Sequence, residues 1–168
     1  MMFDELLDIV NDHDEVIGQK LRSEIYHGKL SNFRVVNAFI QNDKGQLWIP
    51  RRVKCKRIFP LCLDASMGGQ VVAGESYQEA FKRELMEELR ISLSSVVYRE
   101  VGFLTPHQHA MSAFMKVFLL QSNEVPDYNA EDFFEFFWLT PQEVISQLEN
   151  GDKSKDDLPK MIQHLFMT

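Results

Sequence analysis

The apolar residues of the chain fall into short runs separated by polar turns. Phe33-Arg34-Val35-Val36-Asn37-Ala38-Phe39-Ile40 is β-branched and aromatic, the composition of a strand. It ends at Asn42-Asp43-Lys44-Gly45, and Gln46-Leu47-Trp48-Ile49 follows, which predicts a hairpin. An earlier pair, Leu7-Asp8-Ile9-Val10 and Val16-Ile17-Gly18, flanks the polar turn Asn11-Asp12-His13-Asp14 and reads as a small outer hairpin. Residues 21–29 hold one or two helical turns. Ser76-Tyr77-Gln78-Glu79 has the spacing of a capping box and opens a helix reaching about Leu89. Strands are expected near 95–104, 111–121 and 132–139. Thr140-Pro141-Gln142-Glu143 caps a further helix that ends near Asn150-Gly151, and a last helix covers about 157–166. Strands and helices mix without strict βαβ alternation, so the expected fold is α/β, a mixed β-sheet between helices. No linker-like stretch interrupts the sequence, and residues 1–168 are read as a single domain.

Composition narrows the class. The chain has 168 residues, 45% hydrophobic and 26% charged, with a net charge of −7. This is a globular balance, and no run approaches the ~18 apolar residues of a membrane span. The acidic start, Met1-Met2-Phe3-Asp4-Glu5, is unlike an export signal. A cytoplasmic protein with no membrane or nucleic-acid partner is therefore expected. Cys55 and Cys62 have neither zinc spacing nor the number for a disulfide framework. Against the acidic background, Arg51, Arg52, Lys54, Lys56 and Arg57 form a basic loop over 51–60, the natural contact for an anion. Other features weigh less. Asp12-His13-Asp14 has the start of a calcium loop but lacks its glycine. His107 and His109 share a face if they lie on a strand. Trp138, with Phe133, Phe134, Phe136 and Phe137 around it, reads as core.

The segment 66–89 carries the chemistry. Gly68, Gly69 and Gly74 imply unusual backbone angles or close approach. On the following helix, Glu84, Glu87 and Glu88 (i, i+3, i+4) fall within an arc of about 100°. Phe81, Leu85 and Leu89 form the adjacent apolar stripe. Three such carboxylates repel one another unless a cation holds them, and all-oxygen ligands favour Mg²⁺ or Mn²⁺. A solvated face with pairs such as Glu79–Arg83 is the plain alternative.

Residues 69–91 resemble the Nudix box, G-x5-E-x7-R-E-U-x-E-E-x-G-U, where U is a bulky aliphatic. Gly69, Glu75, Arg83, Glu84, Leu85, Glu87, Glu88 and Ile91 match, and Arg90 stands where the second glycine is expected. That position lies just past the helix, where a left-handed angle is usual. From about Leu7 to Glu88 the chain is similar to the Nudix branch related to isopentenyl-diphosphate isomerase. Those isomerases need a histidine where this chain has Phe33, and a Cys and a His within the segment that here reads Asp64-Ala65-Ser66-Met67-Gly68-Gly69-Gln70.

The resemblance implies a Nudix-type α/β/α sandwich and Mg²⁺- or Mn²⁺-dependent hydrolysis of a diphosphate in a nucleoside-diphosphate-linked or related small molecule. An isomerase-like enzyme and an inactive ligand-binding module are the alternatives, and a homodimer is compatible with it. Glu84, Glu87, Glu88 and the Gly68 carbonyl are the implied metal ligands. Glu84 is the first choice of general base, with Glu131, Asp132 and Glu135 in a later loop as alternatives. Arg83 orients the carboxylates, and Glu75 braces the loop and helix start. Arg51, Arg52 and Gly69 are assigned to the substrate.

Overall fold

A computed structural model describes residues 3–167; Met1, Met2 and Thr168 lie outside the described residues. A two-stranded sheet, β1 (Leu6–Val10) with β2 (Val16–Leu21), leads into α1 (Arg22–His27). The main sheet contains β3 (Arg34–Gln41), β4 (Leu47–Arg52), β5 (Met67–Gln70), β6 (Val97–Leu104), β7 (Phe114–Gln121) and β8 (Phe133–Leu139). Helix α2 (Tyr77–Leu89) follows β5, α3 (Pro106–His109) links β6 to β7, and α4 (Pro141–Glu149) and α5 (Asp157–Phe166) close the chain. The strand order is β6-β7-β3-β4-β8, with β5 also paired to β3; only β3 and β7 run parallel. Among the described residues, no helix is long and apolar enough to cross a membrane.

Alternation along β3 builds two cores. Val36, Ala38 and Ile40, with Trp48 and Phe118, face Ala80, Phe81, Leu85 and Leu89 of α2. Phe39, Ile49, Met115 and Val117 face Val144 of α4 and Leu158 and Ile162 of α5. The result is an α/β/α sandwich around a mixed sheet. The apolar stripe of α2 is wider than the sequence pattern, because Tyr77 and Ala80 join it.

One edge of β3 serves two strands. β4 pairs with it only at Gln41↔Leu47, whereas β5 occupies Val35 to Ala38. Where β3 and β4 part, the buried Ser66 hydroxyl accepts from Ile40 N (2.9 Å) and donates to Trp48 O (2.6 Å). This wedge seats β5 beside β3 and turns its other edge toward α2.

Local signals explain most boundaries. Asn42 Oδ1 accepts from Lys44 N and Gln46 N, and Gly45 takes φ +75°, which closes the β3–β4 turn. Thr140 and Glu143 make a complete capping box. At α2 only half of the box forms, Ser76 Oγ accepting from Glu79 N. Arg90 adopts the left-handed angle of a helix terminus, φ 53°, and its guanidinium reaches the Asp127 carbonyl at 3.1 Å.

Two sequence expectations change. His107 and His109 lie neither on a strand nor in a strand-edge loop: Thr105 caps and Pro106 starts a short helix there. The fully buried tryptophan is Trp48, while Trp138, on β8 at the sheet margin, is only partly buried.

The loop after α4 is fastened by charge. Arg51 donates to both Asp152 oxygens (2.8 and 2.9 Å), and Gln147 Nε2 donates to the same carboxylate at 2.7 Å. Arg51 and these further donors hold the Asp152 carboxyl well below its ordinary value of 3.8, against the opposing effect of burial. Asp152→Asn should therefore lower stability in urea unfolding at pH 7 by about 1.5–3 kcal/mol. The sign follows from linkage: a depressed folded-state pKa contributes stability above the unfolded value and loses it as pH falls. The difference between variant and parent should accordingly shrink on acidification below pH 3.8.

Candidate active site

The site lies at the open edge of β5, against α2. In an antiparallel strand, neighbouring residues present their faces and edges in alternation. Gly69 faces α2: a Cβ built there would overlap the Glu84 carboxylate. Gly68 faces the opposite side of the sheet, and its N–H, turned to the free edge, donates to Glu88 Oε2 at 3.3 Å. Its carbonyl shares that edge, since a residue in an antiparallel ladder turns its N–H and C=O the same way.

Arg83 ties the loop to the helix. It donates through Nε and Nη2 to Glu75 (2.8 and 2.9 Å), through Nη1 to Glu84 Oε1 (2.7 Å), and through Nη2 to the Gln70 carbonyl (3.0 Å). Glu75 also accepts Val72 N–H at 3.1 Å, closing the Gly74 turn. Burial pushes the Glu75 carboxyl up, but Arg83 and this N–H outweigh it and hold the group below the ordinary range.

Two of the three box glutamates come together and one does not. Glu84 and Glu88 turn inward, one turn apart on α2. Glu87 points outward, its side chain 60% exposed and 3.6 Å from Arg83. Mutual repulsion and the pull of Arg83 favour that arrangement. Among the described residues, no three His, Cys, Asp or Glu side chains form a ready-made metal cluster. The inward pair is nonetheless short of positive charge. Burial pushes Glu84 up to about 7, against the pull of Arg83. Burial, then the charges of Glu84 and Asp64, push Glu88 well above the ordinary range. Two half-sunk carboxylates beside a strand-edge carbonyl are a donor set that fits a hard divalent cation.

The two arginines separate. Arg51 points to the α4/α5 side, saturated by Asp152, Glu135 (2.5 Å) and the Leu61 carbonyl (3.1 Å). Arg52, across a β-bulge, pairs with Asp64 (3.2 Å) and the Ile58 carbonyl (3.0 Å), and its buried Nε has no partner. Asp64 also acts on Glu88. Of the alternative carboxylates, Asp132 is held by Lys56 (2.5 Å), Glu135 lies on β8 rather than in a loop and is held by Arg51, and Glu131 is exposed. Asp64 and Lys56 belong to no matched motif position; the signal for Asp64 was a lone acid between apolar residues.

Gly69→Ala tests the close approach. The obstructing atoms are the flexible end of Glu84. The fold should survive with little change in Tm, while displacement of the carboxylate by an ångström or so costs about 10²-fold in kcat. Steady-state assay beside a thermal melt separates the two effects.

Comparison with known proteins agrees with this architecture. The NUDIX domain family model matches residues 31–161. An uncharacterized Nudix hydrolase of Nostoc sp. strain PCC 7120 is 54% identical over 162 residues, covering 96% of each chain. A Nudix hydrolase of Deinococcus radiodurans is 42% identical over 163 residues, 97% of this chain and 95% of that one. The crystal structure of DR0079 from Deinococcus radiodurans superposes with a TM-score of 0.91 at 41% identity, covering 96% of this chain and 99% of that one. Nudix enzymes act on pyrophosphate bonds of small molecules and generally use a divalent metal. With Glu84 and Glu88 seated against the β5 glycines and its family model spanning most of the sequence, the chain belongs to the Nudix hydrolase family.

Proposed function

We propose that the protein is a Mg²⁺- or Mn²⁺-dependent hydrolase of a diphosphate linked to a second group. The observation that carries this reading is the inward pair Glu84–Glu88, set against Gly68 and Gly69 and steered by Arg83. Glu84, Glu88 and the Gly68 carbonyl would hold the cation, with Glu87 joining by a side-chain rotation. The chemistry supplied by a bound divalent cation is neutralisation of phosphate charge and acidification of water.

The chain's own residues do the rest. Glu84, held by Arg83 against Gly69, accepts a proton from the attacking water. The water oxygen bonds to phosphorus as the bond to the bridging oxygen breaks, leaving two phosphorylated products. Arg83 keeps Glu84 in position. Arg52, held beside Glu88 through Asp64, contacts the phosphate oxygens with its terminal guanidinium nitrogens, and Arg51 positions the strand that carries it.

An isomerase reading finds no support at the positions it needs. Phe33 is buried among Leu7, Ile9, Ile25 and Ala113, and residues 64–70 contain neither thiol nor imidazole. The decisive experiment is turnover of a panel of nucleoside diphosphate derivatives with Mg²⁺ or Mn²⁺, read by mass spectrometry. Hydrolysis that stops on chelation and returns with metal is expected. Turnover indifferent to EDTA would overturn the metal assignment, and dimethylallyl diphosphate formed from isopentenyl diphosphate would overturn the hydrolase reading.

A further inference from the structure

Strand β3 is buried on both faces, yet one of its central residues is polar. Val36, Ala38 and Ile40 turn toward α2, and Val35 and Phe39 toward the other side. Asn37 shares the second face and is only 6% exposed. A primary amide has two donors and an acceptor oxygen with two lone pairs to satisfy. Here Nδ2 has only the Met115 thioether, at 3.6 Å, and no group among the described residues donates to Oδ1. An amide whose one protein partner is a thioether contributes less to the fold at this position than an aliphatic residue of similar size would.

Its position gives the reason to look for a ligand. Asn37 is the cross-strand partner of Gly68, and a Cβ at Gly68 would come within 2.7 Å of Asn37 Oδ1. The N–H of the same glycine is held by Glu88. Amide and carboxylate therefore flank one residue, the amide on the sheet face and the carboxylate at the strand edge. Gly68 itself is half-buried, so a ligand reaches the amide by passing over a residue with no side chain.

We propose that Asn37 is a specificity-determining residue, its amide binding the donor–acceptor edge of a nucleobase in the group attached to the diphosphate. This rests on the diphosphate-hydrolase reading above. Oδ1 accepts from an exocyclic amino or ring N–H, and the free Nδ2 hydrogen goes to the neighbouring ring nitrogen or carbonyl, a bidentate pairing that asparagine makes with bases. A hydrocarbon chain offers neither partner and leaves the buried amide unpaired, so a site of this kind discriminates against it.

The test compares the four common ribonucleoside diphosphates with ethyl diphosphate, in the parent, Asn37→Leu and Asn37→Asp, with Mg²⁺ present. The parent should favour one base over ethyl diphosphate by ~100-fold or more in kcat/KM. Asn37→Leu should collapse that ratio to a few-fold, with the loss carried by KM. Asn37→Asp, which keeps an acceptor and loses the donor, should change which base is preferred. Binding of the four nucleoside monophosphates, followed by NMR on variants whose melts confirm folding, gives a readout independent of turnover. A base preference that survives in Asn37→Leu overturns the proposal, as does a parent blind to the base; if Asn37→Leu does not fold, Asn37→Asp decides alone. Asn37-dependent nucleotide binding without diphosphate turnover would sink the hydrolase reading and leave the recognition role standing. Turnover without base discrimination would do the reverse.

Discussion

Glu84→Gln should abolish nearly all turnover while leaving the protein folded. Glutamine keeps the size of the side chain and an oxygen for Arg83, but it can neither take a proton nor offer an anionic ligand. Loss of a general base alone lowers kcat by ~10²–10⁴. The fold has no reason to suffer. Burial pushes the Glu84 carboxyl from its ordinary 4.5 up to about 7. An acid whose folded-state pKa is raised loses stability for the native state as pH climbs through that interval, because the unfolded chain gives up its proton first. At pH 8 the neutral amide removes that penalty, so the metal-free variant should melt no lower than the metal-free parent. Kinetics with saturating Mg²⁺ beside melts in EDTA check both halves. A variant within tenfold of parental kcat would move the base to another carboxylate, Asp132 first, since its charge already acts on Glu88.

Phe81→Ala should be the most damaging single truncation for stability in the helix that carries the glutamates. Phe81 is fully buried, stacks on Phe118 with ring centroids 4.0 Å apart and planes within 2°, and meets Tyr98 edge-on at 5.4 Å. Truncating such a side chain costs about 3–5 kcal/mol through lost burial and the cavity left behind. For a chain of this size that corresponds to a fall in Tm of about 10 °C. The stack joins α2 to β7, the strand that pairs with β3 along its whole length. Its loss should therefore also loosen the register between Glu84 and Gly69, and residual activity should fall more steeply on warming than in the parent. A change below ~1 kcal/mol in urea unfolding would show that Leu85 and Leu89 anchor the helix without the aromatic pair.

Much of this arrangement was legible before any coordinates. The caps Ser76 and Thr140, the stripe Phe81-Leu85-Leu89 and the turn at Asn42–Gly45 are local signals, and local structure follows them. Other features depend on partners distant in sequence. Nothing in the dipeptide Arg51-Arg52 says that one guanidinium will be consumed by Asp152 and the other retain a free nitrogen; strand alternation and a bulge opposite β8 decide it. Helical spacing places Glu84, Glu87 and Glu88 on one arc, but side-chain rotation under the competing pulls of Arg83 and the Gly68 N–H sends Glu87 outward. His107 and His109 looked like alternating strand residues until Thr105-Pro106 is recognised as a helix start. The hairpin turn at Asp14 resembled part of an ion loop. Its carboxylate is instead a strut, taking Arg34 at 2.7 Å and the Tyr77 hydroxyl at 3.0 Å.

The two consecutive glycines of β5 divide labour by the simple parity of an extended chain. Gly69 clears room for the Glu84 carboxylate on one side, and Gly68 bares the Asn37 amide on the other. If the two proposals hold, a mutation on the amide side would re-tune what the protein accepts and leave the carboxylate side of the strand untouched.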